Sequence, residues 1–203
     1  MEAGAELSVA ATKTFVSSVA ALLNFVATWT NDPEMTAALD RLPDRLASAA
    51  ELDWAQALSA FSAAQSLVTL GRGPTFAIAQ EAALKLKEVC NIHAEAFSGA
   101  EFQHGPIVLV SSGYPVLIFM PTDAAASNLA ELEADLRRKG ASVLTTATSG
   151  GLSGQLPVLA PDYPDTDAVC LIQSLYALAI RLAQHRGIDV DQPRHLRKIT
   201  RTR

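Results

Sequence analysis

Cysteine and histidine are both scarce in this sequence of 203 residues, which contains two and four of them respectively. Cys90 and Cys170 lie in apolar helical patterns, so we expect buried thiols in a reducing compartment rather than a disulfide framework. No histidine has a second histidine or a cysteine at the spacing of metal ligands. We therefore expect chemistry without a metal and without a cofactor.

An excess of basic charge, a secretory signal and a membrane-spanning run are also absent. Lysine and arginine number 16 and aspartate and glutamate 21, which gives a net charge of −5 and no field to attract nucleic acid or an anionic membrane. The first six residues lack the basic start of a signal peptide, and no uninterrupted apolar stretch is long enough to cross a bilayer. The sequence predicts a cytoplasmic protein with neither nucleic acid nor membrane as a partner.

Three motifs that mark common ligand sites are missing as well. The sequence contains no Gly-x-Gly-x-x-Gly, no phosphate-binding loop of nucleoside triphosphatases and no Gly-x-Ser-x-Gly. The sequence therefore contains no motif that would indicate a dinucleotide site, a nucleoside triphosphate site or an esterase site.

What is present is an alternation of strand and helix patterns from residue 67 onward. The predicted strands are 67–70, 93–97, 115–120, 142–147 and 155–160, and the predicted helices are 75–90, 123–139 and 165–185. Thr75 and Asp165 are candidate helix caps, and the segment 107–110 is ambiguous. This alternation predicts an α/β protein, a three-layer doubly wound sandwich around a mostly parallel five-stranded sheet.

The first 64 residues predict helices alone. Residues 8–29 are apolar nearly all round with Lys13 as the one charged residue, and they indicate a helical arm whose surface needs a cover. Two further helices are expected at 34–42 and 43–64, separated at Pro43. A symmetric homodimer could cover the first helix, with exchange of that helix between chains as one arrangement.

The helix 75–90 carries the residues with most chemical promise. Glu81, Lys85 and Glu88 are spaced i, i+4 and i+7 and so share one helical stripe. Two interpretations are open: an ordinary solvated ion pair, which spacing alone favours, or a proton-transfer site. Because ligands of parallel sheets bind beyond the carboxyl ends of strands, we expect the preceding loop, Gly71-Arg72-Gly73-Pro74, and this stripe to form one site.

Three separated blocks resemble one family. They are Glu81-Ala82-Ala83-Leu84-Lys85-Leu86-Lys87-Glu88 with the following His93-Ala94-Glu95-Ala96 and Glu101-Phe102-Gln103-His104-Gly105-Pro106, then Ser8-Val9-Ala10-Ala11-Thr12-Lys13, and finally Asp189-Val190-Asp191-Gln192-Pro193-Arg194 with His195-Leu196-Arg197-Lys198-Ile199-Thr200. Together they are similar to the sugar isomerase (SIS) domain of glucosamine-fructose-6-phosphate aminotransferases and of SIS-type glucosamine-6-phosphate deaminases. The segments that resemble the stand-alone deaminases more closely are Gly71-Arg72-Gly73-Pro74, Ser8-Val9-Ala10-Ala11-Thr12-Lys13 and His195-Leu196-Arg197-Lys198-Ile199-Thr200.

The resemblance implies a catalytic set. Glu88 would shuttle a proton between C1 and C2 of an open-chain sugar phosphate, and Glu81 and Lys85 would set the field around it. His104 would assist ring opening from a neighbouring subunit, and Lys198 would lie beside the carbonyl carbon. The substrate-binding residues implied are Val9, Ala10, Thr12, Gly71, Arg72, Gly73 and Arg197. The reaction implied is conversion of glucosamine 6-phosphate into fructose 6-phosphate and ammonia.

The resemblance also marks a departure. Family members carry two SIS halves, and here residues 1–32 resemble only the closing segment and last helix of the first, 33–188 the second half, and 189–203 the terminal tail. The Ser/Thr-rich phosphate loops of the first half are absent, and Ala11 stands where the aminotransferase pattern has serine. Two alternatives therefore stay open: the isomerase part of an aminotransferase, and a non-catalytic module that binds sugar phosphates.

Overall fold

The computed structural model describes residues 3–148, 153–196 and 198, and it shows a parallel sheet between helical layers. The five strands are β1 (Ser66–Gly71), β2 (His93–Ser98), β3 (Pro115–Ile118), β4 (Ser142–Ala147) and β5 (Gln155–Pro157). Their order in space is β2-β1-β3-β4-β5, and all four pairings of neighbours are parallel. The predicted five-stranded α/β architecture is confirmed.

Helices cover both faces of this sheet. They are α1 (Lys13–Thr30), α2 (Pro33–Ala50), α3 (Ala55–Phe61), α4 (Pro74–Cys90), α5 (Gly99–Gln103), α6 (Ala126–Arg138) and α7 (Pro164–His185). Along β1, Leu67 faces the core shared with α4 and α7, while Val68 and Leu70 face the core shared with α5 and α6. Alternate side chains of one strand are thus buried on opposite faces, as expected for a covered parallel sheet.

Helices α1 and α2 form an additional layer on the outside of α7. Leu42 and Ala49 of α2 pack against Val169 and Cys170 of α7. The side of α1 that faces away exposes four large apolar side chains at i, i+3, i+4 and i+7, namely Leu22, Phe25, Val26 and Trp29. The expectation of a helix that lacks a cover is therefore met along this stripe, which we call the α1 stripe.

Pro43 does not separate two helices, so that prediction was wrong. One helix, α2, runs through it, and a shorter α3 follows after a break at residues 51–54. Asp32 caps α2 by accepting a hydrogen bond from Met35 N at 2.9 Å. Burial of Leu42 and Ala49 on either side of Pro43 outweighs the one backbone hydrogen bond that proline removes.

Several boundaries also differ from those predicted. The helix expected from residue 8 begins at Lys13, and the one expected from residue 123 begins at Ala126. Thr75 and Asp165 lie inside the first turns of α4 and α7, so neither is the N-cap residue. The ambiguous segment is a 3₁₀ helix, Pro106–Leu109.

Helix α7 is long and apolar enough to cross a membrane by length and composition, but 78% of the relevant window is buried inside the protein. It is therefore explained as the central core helix of the fold.

Gly71 explains how closely α4 approaches the sheet. A Cβ added at this glycine would lie 2.2 Å from Thr75 O, so only glycine permits the tight turn from β1 into α4. The helix then runs back along the sheet, in the direction opposite to the strand. Because of this reversal, the later side chains of α4 lie far from the loop that precedes the helix.

Candidate active site

Helix α4 carries a buried ion cluster of two carboxylates and one ammonium. Lys85 Nζ lies 2.5 Å from Glu88 Oε2 and 3.6 Å from Glu81 Oε1. The residues Glu81 and Lys85 are only 8% and 4% exposed, and the Glu88 side chain is 24% exposed. The interpretation of this stripe as an ordinary solvated pair is therefore wrong.

Helix α7 supplies a fourth member of the cluster. The hydroxyl of Tyr176 donates a hydrogen bond of 2.8 Å to Glu81 Oε1, the same oxygen that Lys85 approaches. Small side chains where α4 packs, including Ala79, Ala82 and Ala83, are buried and let the two helices come this close. The cluster thus links two core helices through side chains that are all hydrogen-bonded or ion-paired.

Burial dominates the proton affinity of this cluster. Loss of water raises the pKa of Glu81, and the charge of Glu88 raises it further, while Lys85 and the Tyr176 hydroxyl act in the opposite direction. Burial and the Glu81 carboxylate raise the pKa of Tyr176 so far that its hydroxyl stays protonated and remains a donor. A buried carboxylate beside a second carboxylate and an ammonium is an arrangement suited to proton transfer.

An open cavity of about 690 Å³ adjoins the cluster. Its walls come from six parts of the chain: the segment before α1, the helices α1, α2, α4 and α7, and the tail after α7. Ala10 is part of its lining, together with these polar residues: Ser8, Thr12, Lys13, Ser17, Lys85, Gln173, Tyr176 and Asp191. The volume lies within the range of small-molecule sites.

The two ends of the described chain meet at this cavity. Thr14 N donates to Glu6 Oε2 at 2.7 Å, Lys13 Nζ donates to Ala5 O at 2.7 Å, and Lys198 Nζ donates to Ser8 O. The hydrogen bond from Thr14 N, helped by the nearby Lys198 and Lys13, lowers the pKa of Glu6 in spite of the opposing effect of burial. These tethers fix the segment that forms one wall.

The loop Gly71–Gly73 lies elsewhere. Fourteen residues separate Pro74 from Glu88 on α4, so a rise of 1.5 Å per residue carries Glu88 about 21 Å from the loop. Arg72 lines a separate cavity of about 200 Å³ with Gln103 and Asn128. The expectation that the loop and the stripe form one site was wrong, because α4 reverses direction after the loop.

Five other predicted residues of the described chain do not line the cavity, so Lys85 is the one member of the ion cluster on α4 that does. The five are Glu81, Glu88, Val9, His104 and Lys198. His104 follows α5, is exposed and does not belong to the cavity lining. Val9 is half-buried between two residues that do line it. Arg197 lies outside the described residues.

Sequence reasoning missed Tyr176, Lys13 and Asp191 as parts of this region. Gln173 and Tyr176, spaced i, i+3 within the apolar run of α7, were the available signal for a polar spot on that helix. Within residues 3–148, 153–196 and 198, no group of three or more His, Cys, Asp or Glu side chains is arranged to hold a metal ion. Acid–base chemistry without a metal remains a prediction.

Comparison with known proteins assigns the fold. Residues 60–151 match the family model of the SIS domain. The chain carries a SIS domain. Its SIS domain and flanking segments are 34% identical to isomerizing glutamine–fructose-6-phosphate aminotransferase of Treponema pallidum and 38% identical to that of Thermosynechococcus vestitus, over 97% of the chain in both cases. It spans about a third of the length of these curated relatives, 35% and 34% respectively.

Solved structures agree with this family. A protein of Silicibacter pomeroyi DSS-3 assigned as a phosphosugar isomerase is 46% identical, with a TM-score of 0.86 over 93% of this chain and 58% of that one. The C-terminal domain of glucosamine-fructose-6-phosphate aminotransferase from Francisella tularensis is 29% identical, with a TM-score of 0.82 over 95% and 59%. Glucosamine-6-phosphate deaminase of Thermotoga maritima, at 23% identity and a TM-score of 0.71 over 96% and 58%, shows the shared SIS fold.

Proposed function

We propose that this SIS-domain chain acts on a phosphorylated amino sugar as an isomerase and deaminase, converting glucosamine 6-phosphate into fructose 6-phosphate and ammonia. The observation that carries the proposal is the buried cluster of Glu81, Lys85 and Glu88 beside a cavity of about 690 Å³. Proton transfer between adjacent carbons needs a carboxylate that is shielded but still reachable, and Glu88 is the member of the cluster with remaining exposure.

In the proposed reaction, Glu88 removes the proton from C2 of the open-chain sugar and returns it to C1. The electron pair of the broken C–H bond forms an enolamine, and protonation at C1 then leaves an imine at C2. Water adds to this imine and ammonia departs, which gives the ketose. Lys85, bonded to Glu88 at 2.5 Å, would hold the carboxylate in place for both transfers.

Lys198 and His104 have supporting roles in the proposal. The ammonium of Lys198 would polarise the carbonyl oxygen, which is supported by its hydrogen bond to Ser8 O at the cavity wall. His104 is exposed on its own protomer, a position that leaves it free to reach the cavity of a neighbouring copy for ring opening. The terminal Arg197 stays a proposed substrate contact.

Substrate contacts are proposed for the segment before α1 and for the loop after β1. Ala10 and Thr12 line the cavity and Val9 lies between them, so their proposed contacts are with the sugar. Lys13 adds a cation for the phosphate. Gly71, Arg72 and Gly73 would hold an anion at their separate cavity rather than the reacting sugar.

A second candidate function is the isomerase part of an aminotransferase. It is favoured by the names of the curated relatives, of which this chain spans about a third. A non-catalytic module that binds sugar phosphates is the third candidate, and it is favoured by the cavity lining, which contains neither Glu81 nor Glu88.

Ammonia release from glucosamine 6-phosphate distinguishes these candidates. We expect turnover by the purified chain and a loss of at least about 100-fold in Glu88→Gln, the usual scale of general acid–base catalysis. Glu34→Gln is the matched control and should keep full turnover, because Glu34 is exposed in the first turn of α2, about three turns away from Leu46 and Ala50, which line the cavity. Calorimetric binding without ammonia release would favour the non-catalytic module, and isomerisation without ammonia release would favour the aminotransferase part.

We further propose a cytoplasmic homodimer or larger homo-oligomer, organised as an arm (1–32), a SIS domain (33–188) and a tail (189–203). The exposed α1 stripe supports an oligomer, since four large apolar side chains in one row are costly to leave in water. The meeting of arm and tail at the cavity supports a shared role for these two segments.

A further inference from the structure

The cluster on α4 contains an asymmetry that the proposed reaction does not use. Lys85 is bonded closely to Glu88, at 2.5 Å, and only loosely to Glu81, at 3.6 Å. Glu81 is nevertheless the more deeply buried carboxylate. Its closest partner is the hydroxyl of Tyr176, at 2.8 Å, from a different helix.

We infer that Tyr176 is a positioning residue: its hydroxyl fixes the Glu81 carboxylate by a hydrogen bond, and Glu81 in turn holds Lys85 between the two carboxylates. When both carboxylates are ionised, two negative charges share the one ammonium of Lys85, so Glu81 is repelled by Glu88 and lacks a full counterion of its own. A hydrogen bond from a neutral donor is what stabilises such a charge without adding another ion.

Other groups near Glu81 do not replace this donor. On α4 the neighbours are Lys85 and Glu88, and beyond α4 the charged groups around the cavity and Tyr176 are Glu6, Lys13, Asp191 and Lys198. Lys13 and Lys198 donate to Ala5 O and Ser8 O, away from Glu81, and Glu6 and Asp191 are themselves acidic. The phenol of Tyr176 is therefore the one neutral side chain that donates a hydrogen bond to Glu81 within the described part of the chain.

Loss of the Tyr176 hydroxyl changes the pKa of Glu81 in a defined direction. Because the Tyr176 hydrogen bond lowers the pKa of Glu81 against the effect of burial, Tyr176→Phe raises that pKa further. Protonated Glu81 no longer attracts Lys85, which then pairs with Glu88 alone. A carboxylate that is the sole partner of an ammonium accepts a proton less readily, so turnover falls at low pH and recovers as pH rises and Glu81 ionises again.

The test compares wild type, Tyr176→Phe and Tyr163→Phe. Tyr163 donates a similar bond of 2.9 Å to Asp32 Oδ2 and lies just before α7, 13 positions ahead of Tyr176, so its loss controls for removal of any tyrosine–carboxylate bond. Glutamate labelled with carbon-13 is titrated by NMR without substrate, and the Glu81 signal is assigned by its absence in Glu81→Gln. We expect Tyr176→Phe to raise the pKa of Glu81 by about one unit or more, and Tyr163→Phe to leave it unchanged.

The consequence for catalysis rests on the proposed function and is measured in a separate experiment, the pH dependence of the turnover rate. In Tyr176→Phe, the acid limb of the turnover rate should move up by about one pH unit, with the rate recovered on the alkaline side. An unchanged Glu81 titration, or a loss of rate equal at every pH, overturns the role of Tyr176. If wild type shows no turnover, the proposed function fails, while the titration still decides the inference about Glu81 and Tyr176.

Discussion

At the scale of single residues, Glu81 and Lys85 form the most deeply buried ion pair of the described chain. Glu81 and Lys85 are almost fully buried, whereas most other ion pairs of the described chain, such as Lys139 with Asp135, have substantially exposed partners. A buried pair gives little net stability, but removal of one member leaves the other charge without a partner in a dry environment. The cluster on α4 is thus explained by its chemistry more readily than by its contribution to folding.

Lys85→Met tests this asymmetry. We expect the free energy of unfolding to fall by about 3–5 kcal/mol, because two carboxylates then share a buried site without a cation. Urea unfolding followed by circular dichroism gives the value.

The control for that variant is Lys139→Met, which removes an exposed lysine of an i, i+4 pair. Its loss should remain below about 1 kcal/mol. Equal small losses in the two variants would mean that the α4 cluster is as well solvated as the surface pair.

Much of the candidate site was predictable at this scale, and the missed parts share a cause. Spacing on one helix placed Glu81, Lys85 and Glu88 together, because periodicity along a helix is a local property. Burial of that stripe and its bond to Tyr176 depend on α7, which lies 95 residues away in sequence. The direction that α4 takes after Gly71 likewise determines which residues share a cavity. This direction cannot be read from local sequence patterns.

At the scale of secondary structure, the elements follow their sequence patterns except where tertiary burial overrides a local signal. Strand β4 has the predicted bounds, 142–147, because its apolar run is bordered by clear turn residues. Helix α2 differs, since Pro43 is a local stop signal but Leu42 and Ala49 are buried against α7. Tertiary packing against α7 therefore keeps α2 continuous through Pro43.

Pro43→Ala should therefore stabilise the protein. Residue 43 is exposed, so the substitution changes little besides the backbone, and it restores one helical hydrogen bond. We expect a gain of about 1–3 kcal/mol in the free energy of unfolding.

Pro33→Ala is the comparison for that experiment. Pro33 occupies the first position of α2, where its N–H has no intrahelical partner to lose, so alanine should bring no gain there. If Pro43→Ala and Pro33→Ala change the free energy of unfolding equally, the missing hydrogen bond is not the reason that Pro43 destabilises the helix.

At the scale of the whole molecule, the chain is a SIS domain with an arm that is apolar on its outside. It spans 58% of the solved phosphosugar isomerase chain and about a third of the curated aminotransferases. Phe25 and Trp29 of the arm contact each other edge to face, with ring centroids 5.3 Å apart. This aromatic pair gives the α1 stripe a large apolar area suited to association.

Trp29→Glu should reduce the oligomeric mass. We expect wild type to scatter light as a dimer or larger species at micromolar concentration and the variant as a smaller one, because a charge on the α1 stripe must be desolvated to form the interface. Asn24→Glu places the same charge on an exposed position of α1 outside the stripe and should leave the mass unchanged. A monomeric wild type would contradict the proposed oligomer.

Incorporation of deuterium from solvent tests most directly whether Glu88 carries hydrogen between the sugar carbons. Glucosamine 6-phosphate is incubated in D₂O with wild type or Glu88→Gln, and proton NMR follows the hydrogens at C1 and C2. The account predicts exchange with wild type and none above background with Glu88→Gln, although this variant still folds and still binds the sugar phosphate. Exchange at the wild-type rate in Glu88→Gln would contradict it.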